Sequence, residues 1–189
     1  SAFHVSRAII VLLSSFTTRA GGAMASASTS FDVDRDPAED AKIRAACAFH
    51  LAIPVRDIEE ARAFYGPDGV LGLREGRSTA TWIDFNFYGH QLVTHLVRGY
   101  DAKTSHNAVN GDPVPVPHFG LAMDAESFRA LVARCEERGA SFETAPSLRF
   151  EGKPGEQVAC FLRDPSGNAL EFKAMTTPAN LFARYDASA

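Results

Sequence analysis

The chain has 189 residues, with 19 Lys and Arg against 23 Asp and Glu, so it carries a net charge of −4 at pH 7. No Lys/Arg cluster offsets that balance, which argues against nucleic acid as a partner, and no apolar run reaches the length of a membrane span. The three cysteines, Cys47, Cys135 and Cys160, are widely separated without a CxxC; this argues against a disulfide framework or cysteine metal site and for free thiols in a reducing compartment.

The first 46 residues differ in character from the rest. Ser1–Phe31 carries Arg7 and Arg19, no acidic residue, and many Ser, Thr and Ala. That is the composition of a transit peptide, which would direct the protein to a mitochondrion or plastid. Two alternatives stand beside it. The apolar run Ala8–Leu13 after Arg7 is compatible with a weak secretory signal, and Met24 is compatible with the true start of a cytoplasmic protein. Asp32–Ala46 is charged and reads as a linker.

An internal repeat organises the remainder. Setting His50 on His118 aligns HLAIPV with HFGLAM. Both alternate with period two and are predicted strands. Phe49, Leu51, Ile53 and Val55 share one face, and His50 shares the other with Ala48 and Ala52. In the second copy Phe119, Leu121 and Met123 oppose His118, Gly120 and Ala122. Each histidine therefore projects to a face of small residues, where a ligand has room.

A helix is predicted after each strand. Asp57 with Glu60 gives a capping-box pattern, and Ile58, Ala61, Phe64 and Tyr65 follow at helical spacing. Asp124 is the second N-cap, with Phe128, Leu131, Val132 and Cys135 as the apolar stripe. Three further strands are predicted in each copy: 73–77, 81–87 and 90–97, then 141–149, 157–163 and 168–175. The order β-α-β-β-β, twice, defines an α+β chain. Module one spans 47–99 and module two 118–176, joined by a polar linker over 100–117 and followed by a tail over 177–189.

Superposing the last strands on Gly89 and Gly167 sets His90 on Asn168, Gln91 on Ala169, Val93 on Glu171 and His95 on Lys173. Glu171 lies between Leu170 and Phe172, where a carboxylate is costly without a partner. Alone, each histidine reads as a hydrogen-bonded structural residue, and Glu171 as the partner of Lys173. Together, His50, His118 and Glu171 are candidate ligands of one metal. Two imidazoles and a carboxylate on one face form the facial set of non-haem Fe(II) sites, and suit Mn(II), Zn(II) or Ni(II) as well.

With these motifs, FHLAIPVRD, HFGLAMD and DPSGNALEFKA, the chain over 47–176 resembles the vicinal oxygen chelate superfamily, which includes glyoxalase I, extradiol dioxygenases and the fosfomycin and bleomycin resistance proteins. Within it, IDFNFYGHQLVTHL and FEGKPGEQ resemble small two-module proteins described as extradiol-dioxygenase-like. The resemblance implies curled mixed sheets around a central metal cleft, with His50, His118 and Glu171 at the ligand positions. It implies a small substrate chelated through two vicinal oxygens, with Fe(II) favoured. Glyoxalase I-type lyases carry a fourth ligand on the first module's last strand; Val93 stands there, which favours the three-ligand dioxygenase pattern. A lyase or isomerase, and a non-catalytic binding module, remain the alternatives. Catechol-cleaving members carry a Tyr and a His upstream of the ligand Glu. Here Phe161 takes the Tyr position, and no histidine lies between His118 and Glu171.

His95 and Gln91 share the predicted cleft face with Val93. His95 is the candidate general acid/base, and Gln91 a candidate cleft or substrate contact. Arg77, Arg149 and Lys153 are cations available to an anionic substrate, with plain surface charge as the other reading. Residues 150–157 are a candidate lid or a surface hairpin. Open sheet edges make a homodimer compatible with the pattern.

Overall fold

The computed structural model describes residues 47–184. The tail and charged linker over 1–46, and the localisation read from them, lie outside the described residues, as do residues 185–189.

Each module grows from the expected alternation. Strand β1 is His50–Val55 and helix α1 is Ile58–Tyr65. Strands β2 (Arg74–Ser78), β3 (Trp82–Phe87) and β4 (His90–Leu96) complete module one. In module two, β7 (His118–Met123) leads into α2 (Ala125–Glu137), then β8 (Phe142–Arg149), β9 (Gln157–Arg163) and β10 (Ala169–Met175). Ile53 and Val55 are buried while His50 and Ala52 are exposed, so the strand's two faces part as the sequence pattern requires.

Both helices start on an aspartate. Asp57 accepts from the N–H groups of Glu59 and Glu60, and Asp124 from Ser127 N–H. The capping box is only half made: Glu60 turns instead to the Arg56 guanidinium at 2.7 Å. The buried residues of α1 (Ile58, Ala61, Phe64, Tyr65) and α2 (Phe128, Leu131, Val132, Cys135) are the predicted stripes.

The sheets run β1-β4-β3-β2 and β7-β10-β9-β8, with β1 parallel to β4 and β7 parallel to β10. A parallel pair needs a long crossover, which each helix and its following strands supply. The two sheets turn their helix-bearing faces into one core. Phe87 of β3 packs its ring 6.2 Å from Phe119 and 6.0 Å from Phe172 of module two. Phe128, Phe172 and Tyr65 are inaccessible, and burial of each such side chain contributes about 1.5–3 kcal/mol.

A polar knot closes the seam between the modules. The buried Asp164 carboxylate accepts from Ser166 and Asn168 N–H, from Asn168 Nδ2, and from Tyr65 O–H at 2.8 Å. Asn168 Nδ2 also reaches Pro54 O, and Arg56 N–H donates to Ser166 Oγ. From α2, Arg134 donates to Pro67 O and Gly69 O, and Arg138 to Asp68 O, which ties down the loop after α1.

The stretch over 100–117 is more than the connector expected of it. It forms a hairpin of β5 (Ser105–Val109) and β6 (Asp112–Val116). Asn110 and Gly111 both take positive φ, 53° and 87°, as a two-residue hairpin turn demands. Residues 177–184, taken as tail, contain a short 3-10 turn, Pro178–Phe182.

Candidate functional site

The register of the two parallel pairs fixes which residues are equivalent. In module one His50 lies beside Gln91, and Ala52 beside Val93. In module two His118 lies beside Ala169, and Gly120 beside Glu171. Val93 and Glu171 therefore occupy the same place in the two sheets, as the glycine superposition predicts.

In module two the pair is assembled. His118 Nε2 lies 3.4 Å from Glu171 Oε2, and Lys173 Nζ donates to the same oxygen at 3.1 Å. His118 Nδ1 lies 2.6 Å from Pro115 O on the hairpin, and the edge of Phe161 flanks the imidazole. A carbonyl oxygen only accepts, so Nδ1 carries the proton and the neutral ring presents a lone pair at Nε2 toward the carboxylate. Two acceptors facing each other at this distance need a cation between them. In the metal-free protein the cation is a proton: the facing Glu171 carboxylate raises the pKa of His118 above its ordinary value. For Glu171 burial pushes the pKa upward, but His118 and Lys173 together outweigh it and the net direction is down.

In module one the imidazole is oriented in the same way by a different group. His50 Nδ1 donates to Gln91 Oε1 at 2.7 Å, leaving Nε2 free on an exposed face. His95 is exposed on the same side of β4, two residues beyond Val93.

The structure does not bring His50 to His118 and Glu171. Both histidines sit on the strand face opposite the residues that enter the shared core. Among the described residues, no three His, Cys, Asp or Glu side chains cluster so as to hold a metal. His118 with Glu171, and His50 with Gln91, are the two neighbour pairs that the sheets assemble. The donor types suit a divalent metal: Gln91 and Pro115 O each hold an imidazole by Nδ1, and Glu171 supplies a carboxylate beside His118.

Other candidates are placed as follows. Arg77 pairs with the buried Asp84 at 2.9 Å and stacks over Trp82. Of residues 150–157, 150–156 form the β8–β9 turn and Gln157 opens β9, with Gly152 N–H bonded to Glu156. Cys135 and Cys160 are buried free thiols and Cys47 is exposed. Burial pushes the Cys135 thiol up to about 11, which makes it inert. Asp84, Asp164 and Arg149 are buried charged residues that sequence reasoning did not place inside. For Asp164 the DPSGN turn was a usable signal, because an aspartate there can cap its own turn.

A family model described as the Glyoxalase/Bleomycin resistance protein/Dioxygenase superfamily matches residues 48–172. The chain belongs to that superfamily. Among solved structures it is similar to a glyoxalase/bleomycin resistance protein/dioxygenase from Alicyclobacillus acidocaldarius, with 36% identity over 73% of this chain and 98% of that one, at a TM-score of 0.62. A genomically encoded fosfomycin resistance protein from Listeria monocytogenes shares the fold at 14% identity, covering 71% of this chain and 97% of that one, with a TM-score of 0.51. A search of curated proteins gave no match. Superfamily membership accounts for the paired βαβββ modules and their curled sheets.

Proposed function

We propose that the protein is a metal-dependent enzyme of the extradiol-dioxygenase-like kind, acting on a small substrate that chelates through two vicinal oxygens. The observation that carries this reading is the facing pair of His118 Nε2 and Glu171 Oε2, with Nδ1 of the same ring held by Pro115 O. The third ligand in this reading is His50 from a second copy of the chain, because among the described residues no third His, Cys, Asp or Glu clusters with that pair. Such an arrangement makes a homodimer the functional unit.

Fe(II) is favoured, with Mn(II), Zn(II) or Ni(II) compatible, and the bound metal would supply Lewis acidity and, for iron, reactivity toward dioxygen. The chain's own residues do the rest. Gln91 and Pro115 O hold the imidazoles in the Nε2-accepting tautomer. Phe161 walls the site and keeps water from one side of His118. His95, exposed beside Val93, is assigned to move a proton to or from the substrate. Val93 in place of a fourth ligand is what favours this reading over a glyoxalase I-type lyase.

A mixing experiment tests both the ligands and their origin. His50→Ala and Glu171→Ala chains are each expected to lose metal, read by elemental analysis after dialysis. Mixed and re-associated, they should recover about a quarter of the wild-type sites, since half the dimers are hybrid and each hybrid has one intact site. No recovery from a mixture shown to contain hybrid dimers would sink the shared site. Oxygen uptake with a panel of catechols and related diols, after anaerobic iron loading, then tests the chemistry. Turnover without oxygen on Ni(II) or Zn(II) would assign the lyase instead.

A further inference from the structure

The outward face of module two continues beyond His118 and Glu171. At its far end Met175 on β10 is in register with Gln157 on β9, and Gln157 with Arg149, the last residue of β8. Leu148 and Val158 turn into the core, so Arg149 and Gln157 share the face of Glu171. Arg149 is 4% exposed and Gln157 8%. Arg149 Nη2 donates to Val109 O at 2.8 Å and lies 3.3 Å from Asp112 Oδ2, both at the hairpin tip. Arg149 Nε is shut off from solvent and has no hydrogen-bond partner, while the guanidinium carbon lies 5.9 Å from the centre of the Phe150 ring.

Nε and Nη2 form one edge of the guanidinium, the edge that grips a carboxylate or phosphonate with two parallel bonds. Asp112 reaches one prong of it and is itself 56% exposed. The other cations on this face, Lys173 and Arg163, are already engaged by Glu171 and Glu143. We propose that Arg149, with Gln157 beside it, is the anion-recognition point of this face: a substrate oxyanion takes both prongs and Asp112 gives way. This rests on the reading of His118 and Glu171 as the reacting end. Arg149 and Glu171 are two strands apart, about 10 Å, and four residues apart along the strand, about 13 Å. The substrate is therefore elongated, with its anionic group remote from the vicinal oxygens.

The test uses full-length, chelator-treated, 15N-labelled protein and follows arginine Nε–H resonances by NMR. The probes are 4-phenylbutyrate and phenylphosphonate, with 4-phenylbutyramide as the neutral control. The Arg149 Nε–H signal, assigned by its absence in Arg149→Lys, should shift with the acids and not with the amide. A shift with only one acid still supports an oxyanion site and selects its geometry. Arg149→Lys keeps the charge but lacks the fork and should weaken binding roughly tenfold. Asp112→Asn removes the competing carboxylate while Val109 O stays in place, and should tighten binding several-fold. If Arg149→Lys does not fold, Asp112→Asn decides. No shift with either acid, or unchanged affinity in Asp112→Asn, overturns the proposal. Anion binding is measured without metal, so loss of one with retention of the other separates this inference from the metal reading.

Discussion

The outward faces of the two modules are copies that have diverged at one position with large consequences. Both keep a histidine at the start of the first strand and fix its Nδ1, by Gln91 in one and by Pro115 O in the other. Only module two pairs its imidazole with an acid, because Glu171 stands where module one has Val93. Module one does have a carboxylate, Asp84, but one strand further out and neutralised by Arg77. The two copies have thus kept the imidazole twice and the acid facing it once. Module two carries the charge, and module one offers a neutral donor.

The largest effects are expected where this asymmetry is removed. Glu171→Ala makes module two resemble module one, and should weaken metal binding by roughly a hundredfold or more in a competition titration. Val93→Glu makes module one resemble module two. If the half-sites meet across two chains, the added acid should tighten the site for Ni(II) or Zn(II) and suppress oxygen uptake. Unchanged affinity in a folded Val93→Glu protein would show that the β4 row does not face the metal.

The next contrast is between Ala52 and Gly120, neighbours of Val93 and Glu171 on the two first strands. A Cβ on Gly120 would overlap the Glu171 backbone carbonyl. A strand glycine marks such a close backbone approach, and here it lets β7 lie against β10 with His118 and Glu171 facing. Gly120→Ala should cost about 2–3 kcal/mol in urea unfolding and lose metal with it. Ala52→Gly should cost only about 0.5–1 kcal/mol, the entropy of a strand glycine.

These contrasts show what the chain's pattern carries and what it leaves out. Alternation in HLAIPV and HFGLAM, and the turn glycines Gly89 and Gly167 at φ of 91° and 83°, are local, and they carry the repeat, the register and the equivalence of Val93 with Glu171. Period two separates the faces of one strand but does not say which faces of which sheets meet. That is why convergence of His50 with His118 was an assumption, and among the described residues the three do not cluster. The β5–β6 hairpin was hidden by its prolines and polar residues, although Asn110–Gly111 is a turn signal. Arg149 and Asp164 look like surface charges because burial of an ion depends on distant partners. Tyr65, the Asp164 partner, lies 99 residues away. Asp164→Ala orphans that hydroxyl together with two backbone donors and leaves the Asn168 amide only its bond to Pro54 O, and should cost about 3 kcal/mol. A variant as stable as wild type would show that the seam holds without this knot.

The smallest effect separates two acids of module two by sign. Glu143 pairs with Arg163, and that guanidinium holds its pKa below the ordinary 4.5. Its stabilisation is present above the unfolded value of 4.5 and is lost as pH falls through the lower folded value. Burial pushes Asp164 above its ordinary 3.8 despite its donors. Its contribution is complete below 3.8 and is lost as pH rises through the raised folded value. Urea midpoints between pH 7 and pH 3 should therefore move in opposite directions for the two variants. Glu143→Gln should flatten the acid loss of stability below 4.5. The deficit of Asp164→Asn relative to wild type should widen as pH falls. Parallel curves for Asp164→Asn and wild type would mean that water reaches the seam and the carboxylate is not desolvated, and the knot would then be a surface turn with a tyrosine laid across it.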